Sequence, residues 1–133
     1  MQMDSFDNFK TDCVEIDKQH KEIMKFINLF CEMFSEGKNK ELLISTLLTL
    51  ENIYTDHCET EEIYMKKFNY PNTEKHKAEH FKINQVFQGA KQELMQSASL
   101  VYIKTLKEVM LNWFSLHINE FDKPLAELIL SHS

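Results

Sequence analysis

The histidines carry the first chemical signal. His57 precedes Glu61 by four residues, and His76 precedes His80 by four. Residues four apart share one face of a helix, a turn apart, so each pair can reach one metal ion or two adjacent ones. His20 falls on an apolar stripe between Ile16 and Ile23, and His117 stands five residues before Asp122, an imperfect spacing for an α-helix. Taken singly, most have a plain structural reading. His20 reads as a hydrogen-bonded core histidine, His57 with Glu61 as an exposed ion pair, and His117 with Asp122 as no signal. Only the HxxxH pair of His76 and His80 points to metal by itself. Together they set five imidazoles and two carboxylates on inward-facing stripes, where burial without partners would cost roughly several kcal/mol. A metal centre in the core of a helical bundle satisfies all seven. His132, near the chain end, reads as solvated.

Four amphipathic segments position these residues. The first runs from Val14 to Phe34, with Ile16, Ile23, Ile27 and Phe30 at helical spacing, and Gly37 breaks it. Asn39 caps a second helix from about Lys40 to about Phe68, with Leu43, Leu47, Leu50, Ile53, Tyr54 and Met65 on its apolar face. The cluster Asn69-Tyr70-Pro71-Asn72 stops it, and Asn72 or Thr73 caps a third helix that reaches about Gln96. Ser97-Ala98-Ser99 reads as a short turn. A fourth helix, about Leu100 to Asn119, carries Ile103, Leu106, Met110, Trp113 and His117 on one face. Pro124 ends or bends it, and Leu125 to Leu130 form a last turn packing back. Short connections favour antiparallel neighbours. The expected fold is therefore all-α, an up-down-up-down four-helix bundle with a short C-terminal helical turn. An N-terminal arm of about residues 1–13, including Phe6 and Phe9, would lie across it, within one domain spanning 1–133.

Composition agrees and excludes other classes. The 133 residues are 43% apolar and 27% charged, ordinary globular material, with only two Gly and two Pro. A sandwich, barrel or doubly wound sheet needs far more turn punctuation. The net charge is −6 and arginine is absent, so neither a basic stripe nor a guanidinium fork is available for nucleic acid. No apolar run is long enough to span a membrane, and residues 1–10 lack a signal-peptide pattern. The three cysteines, without CxxC spacing, read as free thiols in a reducing compartment, which makes the cytoplasm the expected location.

The order of these residues matches a known pattern. Ile16-Asp17-Lys18-Gln19-His20-Lys21, then His57-x-x-x-Glu61-Glu62, then Tyr70-Pro71 before His76-x-x-x-His80, then Trp113-x-x-x-His117-Ile118-x-x-x-Asp122, resembles the hemerythrin family, most of all its single-domain bacterial type. The resemblance covers roughly Val14 to Asp122. It implies a non-heme di-iron site, with His76, His80 and His117 on one iron, His20 and His57 on the other, and Glu61 and Asp122 bridging. Two six-coordinate irons joined by an oxo or hydroxo bridge would then leave one position open, on the iron with two histidines, for dioxygen. It also implies an oxygen pocket walled by Ile23, Cys58, Trp113, Phe114 and Ile118. Two of these depart from the family. Cys58 stands where Phe is common, and Phe114 where Leu is common, a shrinkage and an enlargement that could conserve pocket volume. A functional alternative makes the Cys58 thiol a redox-active neighbour of oxygen.

Ligand type bears on function. Carboxylate-rich di-iron sites oxidise their substrates, whereas neutral imidazoles stabilise ferric iron less. Five nitrogens to two carboxylates favour reversible dioxygen binding for storage, delivery or sensing, without catalysis. The alternatives are a di-iron oxidase or peroxidase, or an iron- or oxygen-responsive regulatory or repair protein. Zinc would prefer four-coordinate sites. The expected partner is dioxygen, with neither nucleic acid nor membrane, in a monomer or small homo-oligomer. Of the remaining groups, Asp17 could accept from His20 or, more simply, cap the first helix. Glu62 points about 100° away from Glu61, as a surface or outer carboxylate rather than a third bridge. Tyr54, Tyr64 and Tyr102 have no position relative to the metal that helical spacing alone can assign.

Overall fold

A computed structural model describes residues 9–96 and 100–132. The Phe6 portion of the arm and the Ser97-Ala98-Ser99 turn lie outside the described residues. Helix α1 spans Val14–Ser35, α2 Lys40–Lys67, α3 Thr73–Gln96 and α4 Leu100–His117. A π-helical turn, Ile118–Asp122, then leads into α5, Lys123–Ser131. The chain forms an all-α bundle in which α1 packs on α2 and α4, and α2 packs on α3.

The helix limits follow from local chemistry. At the end of α1, Gly37 adopts φ 72°, and the N–H groups of Gly37 and Lys38 return to the carbonyls of Phe34 and Met33. This is a Schellman closure, whose left-handed residue glycine tolerates best. Asn69, at φ 52°, does the same for α2, with Tyr70 N–H donating to Met65 O. Asn39 caps α2 as expected, its Oδ1 accepting from Leu42 N–H at 2.8 Å. At α3 the cap position falls to Asn72, whose backbone carbonyl accepts from His76 N–H.

Two sequence expectations change here. Asp17 neither caps α1 nor meets His20. Its carboxylate accepts from Thr11 N–H, Thr11 Oγ1 and Asp12 N–H, which ties the arm down. Cys13 occupies the cap position with no side-chain bond. The expected last turn is a nine-residue helix, and Pro124 sits in its first turn. A proline there loses no helical hydrogen bond, but it would collide with the carbonyl four residues earlier in an unbroken α-helix. The wider π-turn just upstream relieves that conflict, so the chain stays helical through position 131.

Two apolar clusters divide the interior. The larger one includes Ile23, Ile27, Phe30, Leu47, Leu50, Tyr54, Ile83, Phe87, Met110 and Phe114, and Phe9 of the arm joins it. A smaller one, Cys13, Ile16, Met65, Leu125, Ala126 and Ile129, closes the opposite end, where α5 docks. Along α1 and α2 the histidines fall between them, His20 between Ile16 and Ile23, and His57 with Glu61 between Tyr54 and Met65. Among the described residues no helix is long and apolar enough to cross a membrane.

Candidate metal centre

All seven residues of the candidate ligand set are buried and meet in this layer. They form two groups, Glu61 with His76, His80 and His117, and His20 with His57, Glu61 and Asp122. In each group one donor atom from every residue lies within 4.8 Å of the others, about twice a typical metal–nitrogen bond. Glu61 belongs to both. The π-turn explains how Asp122 joins them. An i→i+5 backbone turn brings residues five apart onto one face, so His117 Nε2 lies 2.9 Å from Asp122 Oδ1.

The two oxygens of Asp122 face different halves. Oδ2 lies 2.6 Å from His20 Nε2 and 3.4 Å from His57 Nε2. Oδ1 lies 2.9 Å from His117 Nε2 and 3.0 Å from His76 Nε2. Glu61 Oε1 lies 3.0 Å from His80 Nε2, 3.1 Å from His57 Nε2 and 3.2 Å from His76 Nε2. Yet His57 Nε2, His117 Nε2, Glu61 Oε2 and Asp122 Oδ1 are buried without a hydrogen bond of good geometry. They belong to residues whose donor atoms lie within 4.8 Å of one another in the two groups. Orphaned, clustered nitrogen and oxygen donors of this kind fit a pair of cations.

Charge sharpens the point for the metal-free protein. Burial disfavours a charged His57, but Glu61 and Asp122 outweigh it and raise its pKa to about 10. His117 is raised to about 9 against the same burial, chiefly by Asp122, and His76 is raised by Asp122 and Glu61. Burial prevails at His20 and lowers it. Both carboxyls sit well below their ordinary range, because the imidazoles overcome burial. Protons stand in for positive charge at a site that two carboxylates make strongly negative.

Around the donors, Gln19 Oε1 lies 2.8 Å from His57 Nδ1, and Glu62 Oε2 lies 2.9 Å from His80 Nδ1. Glu62 is thus an outer carboxylate, as its helical position suggested. Gln19 escaped the sequence reading, because its partner lies 38 residues away and only bundle packing joins them. Trp113 stacks on His117 at 4.8 Å, and Phe114 meets the His20 ring edge-on at 5.3 Å. Ile23 and Ile118 are buried in the same apolar cluster. Cys58 is half-buried and lines a cavity of about 260 Å³ between α2 and α3, together with Tyr54 and His80. Burial drives the Cys58 thiol far up, and Glu61, Glu62 and Asp122 add to it. Tyr54 stands between the two halves, 6.3 Å from the His57 ring and 6.1 Å from the His80 ring. Tyr64 instead faces Glu15 and Phe68, away from the donors.

The fold and the donor cluster together define a cation-binding four-helix bundle, and comparison with known proteins agrees. The family model described as the hemerythrin HHE cation binding domain matches residues 13–129, so the chain belongs to the hemerythrin family. A wild-type hemerythrin crystal structure superposes with a TM-score of 0.81 at 27% identity, covering 93% of this chain and 94% of that one. A point mutant of hemerythrin gives 0.82 at 26% identity, covering 96% and 98%. No curated protein sequence matches the chain.

Proposed function

We propose that this protein holds two iron ions, joined by an oxo or hydroxo bridge, and binds dioxygen reversibly without catalysing its reduction. The single observation that carries the reading is the donor set: five imidazoles and two carboxylates in two buried groups that share Glu61. His76, His80 and His117 would hold one iron, His20 and His57 the other. Glu61 and Asp122 would bridge them, a role supported by the way the two oxygens of Asp122 face opposite halves. Such a pair, held by these residues, would supply the electrons that dioxygen uptake requires.

The protein's own residues do the rest. Burial of all seven donors keeps bulk water and protons from the site, which slows the irreversible loss of electrons. Phe114 against His20, with Ile23 and Ile118 in the same cluster, gives the two-histidine half an apolar wall. Trp113 covers the other half through its stack on His117. Three free cysteines suit a reducing, cytoplasmic setting.

The test is metal analysis of the purified protein with an optical spectrum, with and without azide. Two irons per chain and a diferric absorption that shifts with azide are expected; stoichiometric zinc or a single iron would overturn the reading. Stopped-flow mixing of the diferrous protein with dioxygen then separates carrier from oxidase. A product that reverts on deoxygenation supports the carrier. Rapid conversion to the diferric state with peroxide release supports the oxidase.

A further inference from the structure

Each half of the centre has one imidazole whose outer nitrogen is held by another side chain, and the two holders differ in charge. On α2, Thr60 Oγ1 donates to the Asp56 carbonyl at 3.0 Å, so that oxygen is left to accept from Gln19 Nε2 at 2.9 Å. The Gln19 amide is thereby oriented with its oxygen towards His57, and an amide oxygen can only accept. His57 must therefore carry its proton on Nδ1, leaving the Nε2 lone pair for metal. The same logic holds at His80, where the Glu62 carboxylate is an acceptor and Nδ1 must donate to it. By contrast, Nδ1 of His20, His76 and His117 is buried without a hydrogen-bond partner.

We propose that Gln19 and Glu62 are positioning residues for the two halves of the centre, and that the neutral amide on His57 and the carboxylate on His80 make the halves electronically unequal. A carboxylate draws the Nδ1 proton towards itself and leaves the ring a stronger electron donor at Nε2, whereas an amide does so much less. A stronger donor stabilises the more oxidised metal. The half built on His76, His80 and His117 therefore gives up its electron first when a one-electron oxidant takes one electron from the reduced pair. The half built on His20 and His57 stays reduced for longer. Both holders reach beyond the buried layer. Glu62 is 37% exposed and also lines the cavity of about 260 Å³ beside Cys58, while Gln19 is anchored through Thr60 to the backbone of α2.

The inference rests on the two-metal reading, and its test separates the two. The zinc-loaded protein, which is diamagnetic, is compared as wild type, Glu62→Gln, Gln19→Glu and Glu62→Ala by nitrogen-15 and proton NMR of the histidine rings. Two zinc ions per chain in the wild type establish the site whatever its native metal; fewer would sink the two-metal reading itself. In the wild type, slowly exchanging Nδ1 protons are expected on His57 and His80, with the His80 proton further downfield. Glu62→Gln should move that proton upfield and leave the metal content intact, and Gln19→Glu should move the His57 proton downfield. Glu62→Ala should lower metal affinity about 10–100-fold. In the iron-loaded protein, Glu62→Gln should raise the midpoint potential of the first electron removed, and Gln19→Glu should lower that of the second. With two metals bound, unchanged ring-proton positions and unchanged potentials in both conservative variants would overturn the electronic asymmetry.

Discussion

His117 Nε2 and Asp122 Oδ1 lie 2.9 Å apart across a five-residue π-turn. An unbroken α-helix would rotate residues five apart well away from each other, roughly 140° round the axis. The extra backbone residue closes that angle, and the i→i+5 bond from Lys123 N–H to Ile118 O seals it. The turn thus does two jobs at once. It delivers Asp122 to the donor layer and sets Leu125, Ala126 and Ile129 of α5 against Ile16 and Met65.

Deleting Asn119 tests the turn. The residue is exposed, and its side chain bonds to the Ser115 carbonyl. Its removal would restore a plain α-helical turn, in which Pro124 meets the carbonyl four residues earlier and α5 is drawn about 1.5 Å along the axis towards α4. A fall in Tm is expected, while His117 and Asp122, then four apart, stay on one helix face. Asn119→Ala, which keeps the register, should change Tm by only about 1 °C. Similar melting of both variants would contradict this role.

The carboxylates should be less dispensable than single histidines. Glu61→Gln and Asp122→Asn each alter a side chain placed between both groups and should bring metal content below one ion per chain. His20→Ala touches one group only and should retain about one. Inductively coupled plasma analysis of the three variants decides, and equal retention in all would count against bridging.

Stability of the metal-free protein should depend on pH from both sides. Glu61 and Asp122 are lowered, so their contribution is present above their unfolded values near 4 and is lost as pH falls. His20 is lowered too, and its contribution is lost as pH falls through about 6.5. His57 and His117 are raised, so theirs is complete below about 6.5 and is lost as pH rises through about 9 to 10. Urea unfolding of the apo-protein should therefore weaken on the alkaline side, above about pH 8, as well as in acid. Metal affinity should rise over the same alkaline range, because ligand imidazoles must lose protons to bind. A flat apo-protein stability between pH 7 and 10 would refute the assignment.

Asp17 anchors the arm through three acceptor contacts at Thr11 and Asp12, and Thr11 is itself buried. Asp17→Ala leaves those donors unpaired and should cost about 1–3 kcal/mol in denaturant unfolding. Metal content should be unaffected, since no donor of the centre touches Asp17. An unchanged unfolding midpoint would show that the arm adds nothing.

Cys58 is the residue whose two sequence readings the environment distinguishes. Burial beside three carboxylates keeps its thiol protonated, and the protonated form is a poor nucleophile. Alkylation of the native protein at pH 8 should be slow at Cys58 and fast after unfolding. Cys58→Ser should leave metal content intact. Rapid native modification would restore the redox reading.

Much of this protein is written locally. The spacing of Ile16, His20 and Ile23, of His57 and Glu61, and of His76 and His80 is read directly as helix faces, because 3.6 residues per turn is a property of the backbone alone. Gly37, Asn39 and the Asn69–Pro71 cluster mark helix ends for the same reason, each answering a capping or left-handed requirement within a few residues. The seven donor positions were legible too, since so many imidazoles and carboxylates on inward stripes need shared partners. Tertiary structure decided what depends on distance between elements remote in the chain. It assigned Asp17 to the arm rather than to a cap, joined Gln19 to His57 and Glu62 to His80, and turned a five-residue spacing into a contact through a π-turn. Those outcomes are set by how helices pack and where a proline forces the backbone to widen, and no local periodicity encodes either.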